Sequence, residues 1–93
     1  MKQEITNEKA YDAQSKLKDE GIIAYNVINE SVAIKFLYMP TNDLFPYNVS
    51  EYAKAVFTAS CGFLTLTEAV DYYNYINEKR LKEMENAYVN TKD

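Results

Sequence analysis

The chain predicts a small α+β domain, and three observations carry that expectation. Charge gathers at the two ends: residues 1–20 hold nine charged side chains and residues 77–93 hold eight, against seven in the fifty-six residues between. That middle holds eleven of the thirteen aromatics. Residues 23–38 alternate with the period of two that suits half-buried strands, whereas both ends space their apolar residues as helices do. With 93 residues and 47% hydrophobic content, residues 1–93 make one domain with a modest core.

The expected element order is α-β-β-α-α. The first helix is expected over 7–20, because Thr6 or Asn7 can cap it by accepting first-turn N–H groups. Gly21 follows as its left-handed C′ residue, with Leu17 and Ile22 spaced for the hydrophobic contact of a Schellman motif. Its apolar stripe, Ala10, Ala13 and Leu17, is narrow and can approach a sheet closely.

A β-hairpin is expected over 22–38. Ile23, Tyr25 and Val27 alternate with Ala24, Asn26 and Ile28, and Val32, Ile34, Phe36 and Tyr38 alternate with Ala33, Lys35 and Leu37. Asn29-Glu30-Ser31 supplies the turn. A lone hairpin is marginal in water, so helices must cover its apolar face.

Residues 40–47 read as a loop, and a second helix is expected over 49–61. Val49, Tyr52, Ala53, Val56, Phe57 and Ser60 fall within one helical arc, and Asn48-Val49-Ser50-Glu51 resembles a capping box. Gly62 would stop it. Phe63 to Thr65 either leads into the next helix or adds a short third strand. The last helix is expected over 66–88, opened by the capping box Thr65-Leu66-Thr67-Glu68. Its stripe runs through Leu66, Ala69, Val70, Tyr73, Ile76, Leu81, Met84, Ala87 and Tyr88, with Asn77 and Arg80 inside it. Beyond Asn77 the stripe is thin, so that half either projects or meets a partner.

Composition argues against whole classes of chemistry. Histidine is absent, and with it the commonest general base and metal ligand near neutral pH. Cys61 is the one cysteine, so neither an internal disulfide nor a zinc site of the usual Cys/His type can form. Two glycines cannot build a phosphate-cradling loop. Cys61 is expected at a helix C-terminus, where the dipole disfavours a thiolate, and reads as an inert small hydrophobe. The carboxylates read as solvated, and no cofactor, metal or catalytic residue is expected. The basic cluster Lys79-Arg80-Leu81-Lys82 stands among Glu78, Glu83 and Glu85, and the chain's charge is −4, so direct nucleic-acid binding is not expected. The start lacks a signal-peptide run, and the longest uncharged stretch, Ala55 to Thr67, is too short and polar to span a bilayer. The expected location is cytoplasmic.

Nine tyrosines beside no tryptophan are the informative excess. Tyr25, Tyr38, Tyr52 and Tyr73 are expected in the core. Tyr75 lies on the polar face of the last helix with Asp71 and Glu78 at helical spacing, and Tyr72 stands at the stripe's edge. A ring between two carboxylates suits a Lys- or Arg-rich groove. The loop residues Asp43, Phe45 and Tyr47 either plug an open edge of the core or are presented for recognition, stiffened by Pro40 and Pro46. Arg80 either snorkels or pairs with a carboxylate across an interface. Arg80, Leu81, Met84 and Tyr88 are expected to form a homodimer interface.

The functional expectation is a small acidic protein-binding inhibitor. Asn, Lys, Ile, Tyr and Phe dominate and lysine far outnumbers arginine, which suits an AT-rich genome and a phage or mobile-element setting. That profile fits an anti-defence protein of anti-CRISPR-like type, an immunity protein or an antitoxin. It would occlude a site on a partner protein, such as a basic, nucleic-acid-binding one, through Asp71, Tyr72, Tyr75, Glu78, Asp43, Phe45 and Tyr47. The alternative is a homo-oligomeric structural or regulatory subunit without catalytic activity.

Overall fold

A computed structural model describes residues 4–29, 31–54 and 56–91, with side chains as far as residue 85. The order is α1 (Asn7–Ser15), β1 (Gly21–Val27), β2 (Val32–Tyr38), β3 (Tyr47–Ala53), β4 (Val56–Phe63) and α2 (Leu66–Thr91). The four strands form an antiparallel meander in sequence order, so β2 and β3 are central and β1 and β4 are edges. Both helices pack on one face of the sheet, giving a two-layer α+β domain.

The expected helix over 49–61 does not form; those residues are most of β3 and β4. Val49, Tyr52, Val56, Phe57 and Thr58 are β-branched or aromatic, and such side chains pack well on a pleated surface. Their helical arc is a coincidence of spacing, because Val49 and Glu51 pair with the inward Phe36 and Ile34 and so share the inner face as alternate strand residues do. The turn between the strands hides the hairpin. Between Ala53 and Val56 the sequence offers no Gly, Asn or Asp, and Lys54 adopts φ 52°. That left-handed conformation costs a lysine about 1 kcal/mol. The Lys54 N–H donates to Ser31 O at 2.6 Å, which ties the turn to β2.

The first helix is also shorter than expected. Thr6 caps it, its Oγ1 accepting from Lys9 N at 3.2 Å, but the helix ends at Ser15 with Lys16 as C-cap. Gly21 starts β1, and no described glycine has positive φ. Its lack of a side chain serves packing instead: a Cβ there would stand 2.6 Å from a Leu17 methyl.

The core lies between the helices and the sheet's inner face. Ile34, Phe36 and Val49 meet Ala10 of α1 and Ala69, Val70, Tyr73 and Ile76 of α2, all at most 2% exposed. Thus the last helix's stripe is buried as its spacing predicts, as far as Asn77. Polar groups inside are paired. Asn26 Nδ2 donates to Asn77 Oδ1 at 2.6 Å, and Asn77 Nδ2 donates to Tyr73 O at 2.7 Å, which joins β1 to α2. Asn74 makes two bonds to the Ile5 backbone, both 2.8 Å, and holds the segment before α1.

A β-bulge decides which tyrosines are buried. Ile22 pairs with Leu37 and Ala24 with Phe36, so Ile23 is an extra residue in β1. The bulge keeps Ile23 and Asn26 inward and turns Tyr25 and Val27 to the outer face, each 54% exposed. Tyr25 is therefore not a core residue, and Tyr52, opposite Ala33, shares that outer face. Tyr73 is buried and Tyr38 packs against the core.

Candidate protein-binding surfaces

Across the four strands two side chains are charged, one on each face of the sheet. Glu51 of β3 points to the covered face and is 8% exposed. Arg80 of α2 answers it with a two-pronged pair, Nε to Oε2 at 2.9 Å and Nη2 to Oε1 at 3.3 Å. The same guanidinium reaches Glu83 at 2.8 Å. Glu51 first, then Glu83, holds the Arg80 pKa above its ordinary value. Arg80, expected at a dimer interface, is thus engaged within its own chain. Of its expected companions, Leu81 is half-buried and Met84 is 36% exposed, while the side chain of Tyr88 lies outside those described.

Lys35 is the charge on the open face. No helix covers this face, and register places Ile22, Tyr25, Val27, Lys35, Tyr52 and Phe57 on it. Lys35 Nζ lies 4.7 Å from the Tyr52 ring centre and 5.8 Å from that of Tyr25, so two rings flank the ammonium. Phe57 meets Tyr52 edge-on at 5.8 Å. Among the described residues no carboxylate pairs with Lys35. Rings over a cation lower its energy without neutralising it, so the ammonium keeps its donors for an anion. Beside it opens a concavity of about 300 Å³ lined by Tyr25, Val27, Asn29, Ser31, Lys35 and Tyr52. Asn29 Oδ1 accepts from the N–H groups of Ser31 and Val32 and so shapes its rim. With Ile22 and Phe57 also about half exposed, the open face is aromatic, apolar and singly cationic.

The surface expected from the sequence is brought together in part. Asp71, Tyr72, Tyr75 and Glu78 do line α2, away from the sheet except for Tyr72. The Tyr72 ring lies 5.4 Å from Phe63 and 6.1 Å from Tyr75, a bridge from β4 to the solvent face. Burial raises its pKa to about 12, assisted by a hydrogen bond with Cys61. Glu78 is already paired with Lys82 at 3.3 Å, and Lys79 stands 6.0 Å over the Tyr75 ring. The helix's own cations thus offset the charge that a basic partner would meet.

The loop residues separate from that face and from one another. Asp43, Leu44 and Phe45 are exposed, and Asn42 Oδ1 accepts from Phe45 N at 3.0 Å in a tight turn. Phe45 lies against Gly62, where a Cβ would come within 2.8 Å of the Phe45 Cβ. Register puts that contact on the open face, so the loop folds over the sheet's end there. Tyr47 turns the other way. Its hydroxyl donates to Gln14 Oε1 of α1 at 2.8 Å, and its ring stacks on Tyr38 at 5.5 Å. Burial raises its pKa, opposed by the Gln14 bond.

Cys61 lies within β4, not at a helix end, and pairs in register with Val49. Among the described residues no three His, Cys, Asp or Glu side chains gather to hold a metal, and no helix is long and apolar enough to cross a membrane. Sequence reasoning passed over Lys35 and Phe57. The signal for Lys35 was its place in an alternating run; for Phe57 it was β-favouring composition read as a helical arc. The chain matches no family model, no curated protein and no solved structure.

Proposed function

We propose that this chain is a non-catalytic protein-binding module that occludes a site on a partner protein, as a small stoichiometric inhibitor does. The observation that carries the reading is the open face of the sheet. Solvated sheet faces are ordinarily polar, since antiparallel sheets alternate apolar-in with polar-out. Here the outward residues include Ile22, Tyr25, Val27 and Phe57, each about half exposed. Exposed tyrosine and phenylalanine on rigid strands give contact area at little entropic cost, which is the composition of interface centres. The complementary patch is apolar and presents a carboxylate to Lys35, since the ammonium lacks an ion-pair partner among the described residues. The face of α2 around Tyr75 offers a basic partner less, because Lys79 and Lys82 stand within it.

The test is affinity capture from the source cell extract, followed by titration of the captured protein's own activity. Wild-type protein is expected to bind at a 1:1 ratio and abolish that activity. Tyr25→Ser with Phe57→Ser, or Lys35→Glu alone, is expected to weaken binding at least tenfold, about 1.4 kcal/mol. Tyr75→Ala with Glu78→Lys is expected to leave it unchanged. Full activity of the saturated partner would remove occlusion, and undiminished binding by the sheet-face variants would remove this surface.

A further inference from the structure

β4 is an edge strand, bulged at Thr58, where Glu51 pairs with Ala59 and Tyr52 with Phe57, but bare of the other usual protections. Its ladder with β3 uses one side of its backbone; alternate N–H and C=O groups point from the other side, away from the sheet. Natural edges are blunted by charge, proline, a bulge or a covering element. Val56–Phe63 has neither charge nor proline. Among the described residues, no backbone hydrogen bond besides the β3 ladder reaches it.

The apolar groups of this edge stand at both of its ends. Val56 and Phe57 are 65% and 56% exposed at one end, and Leu64 is 63% exposed at the other. We propose that β4 pairs antiparallel with β4 of a second copy about a two-fold axis at Ser60, joining two four-stranded sheets into one of eight strands. Antiparallel pairing lays the Val56–Phe57 end of each copy beside the Leu64 end of the other, so one arrangement covers both apolar ends twice.

Charge agrees with that axis. Two copies of a chain with charge −4 repel over most of their surfaces, whereas residues 55–67 carry no charge at all. That run is where two copies approach without repulsion. The seam is narrow beside the roughly 1,200–2,000 Å² of a stable interface, so the dimer forms at high protein concentration and dissociates on dilution. It reaches the open face at Phe57 and leaves Tyr25, Lys35 and Tyr52 clear, and Ser60→Lys and Lys35→Glu test the two readings separately.

Light scattering on the eluted full chain tests it. The mass is expected to rise from 10.8 kDa toward twice that value as concentration climbs from about 10 to 500 μM. Ser60→Cys in a Cys61→Ser background is expected to oxidise to a covalent dimer, because Cα atoms facing each other across strands lie within disulfide range. Met84→Cys in the same background is expected to stay monomeric. Ser60→Lys in the wild-type chain sets two ammonium groups at the axis. It is expected to weaken dimerisation at least tenfold with the dilute melting temperature unchanged, and it decides the matter should the Cys61→Ser background fail to fold. A constant 10.8 kDa mass, crosslinking through Met84→Cys in place of Ser60→Cys, or an undiminished Ser60→Lys dimer would each overturn the proposal. Loss of the dimer with partner capture intact, or the reverse, separates the failure of one reading from that of the other.

Discussion

The two faces of the sheet carry one charge each, and the chain treats them in opposite ways. Glu51, on the covered face, receives two hydrogen bonds from Arg80 of α2, and the neighbouring apolar residues pack to near-complete burial. Lys35, on the open face, receives two aromatic rings and no described carboxylate. The same alternating strands build both faces, so residue type alone does not separate them. What separates them is the arrival of α2. A charge moved out of water needs a partner with matched geometry, and the helix supplies one on one side. On the other side the apolar residues and the ammonium stay on offer to another molecule.

Substitutions that empty each face break the comparison most sharply. Phe36→Ala, beneath α2, is expected to cost about 3–5 kcal/mol in denaturant unfolding, a large share of a small domain's stability. Tyr25→Ser on the open face is expected to stay within about 0.5 kcal/mol. Equal losses at the two positions would mean that both faces are packed within the monomer.

The charge pair comes next in size. Arg80→Ala leaves the Glu51 carboxylate without its guanidinium in a largely buried place and is expected to cost about 2–3 kcal/mol. Lys35→Met keeps the stem between the tyrosine rings and is expected to change stability by less than about 0.5 kcal/mol. Thermal melts of the two variants side by side measure the difference. A smaller cost follows from Asn77→Ala. It strips the Asn26 amide of its bond and is expected to lower stability by about 1–2 kcal/mol, with hydrogen exchange rising first in β1.

The smallest effect is on pH dependence. Burial holds Tyr72 neutral up to about 12, and Tyr47 and Tyr73 are raised in the same direction, each chiefly by burial. In the unfolded chain these phenols ionise near 10, so the unfolded state loses its protons first as pH rises. Their contribution is therefore whole below about pH 10 and is lost as pH climbs toward 12. Melting temperature is expected to fall over that window, and Tyr72→Phe to flatten the fall. A flat profile in the wild-type chain would show that Tyr72 ionises as freely when folded as when unfolded.

Much of the covered face is legible in the order of residues. The Ala10 stripe of α1, the alternation of Ile34 and Phe36, and the run from Ala69 through Ile76 are periodic patterns that local geometry imposes before any contact forms. Thr6 as a cap and Thr65 with Glu68 as a capping box are likewise local, and Glu68 N does reach Thr65 Oγ1 at 3.3 Å. Asn77 and Arg80 could be seen as polar residues inside an apolar stripe. Their partners, Asn26 and Glu51, are 51 and 29 residues away, and no local pattern names them.

What only the tertiary structure decided is the open face and the strands that finish it. Residues 49–61 satisfy a helical arc and a strand equally well on paper. The choice falls to β2, whose free edge offers Val49 and Glu51 a ladder and a buried face that an isolated helix would lack. The Lys54 turn carries no glycine to announce itself, because its hydrogen bond to Ser31 holds a conformation that lysine alone disfavours. The bulge at Ile23 is equally silent in the alternation, yet it reverses Tyr25 and Val27. Sequence by itself set the class, both terminal helices and the first hairpin, since those follow from spacing within a few residues. Long-range pairing set which aromatic residues face water, because a one-residue shift in a strand of period two changes the side on which every later residue stands.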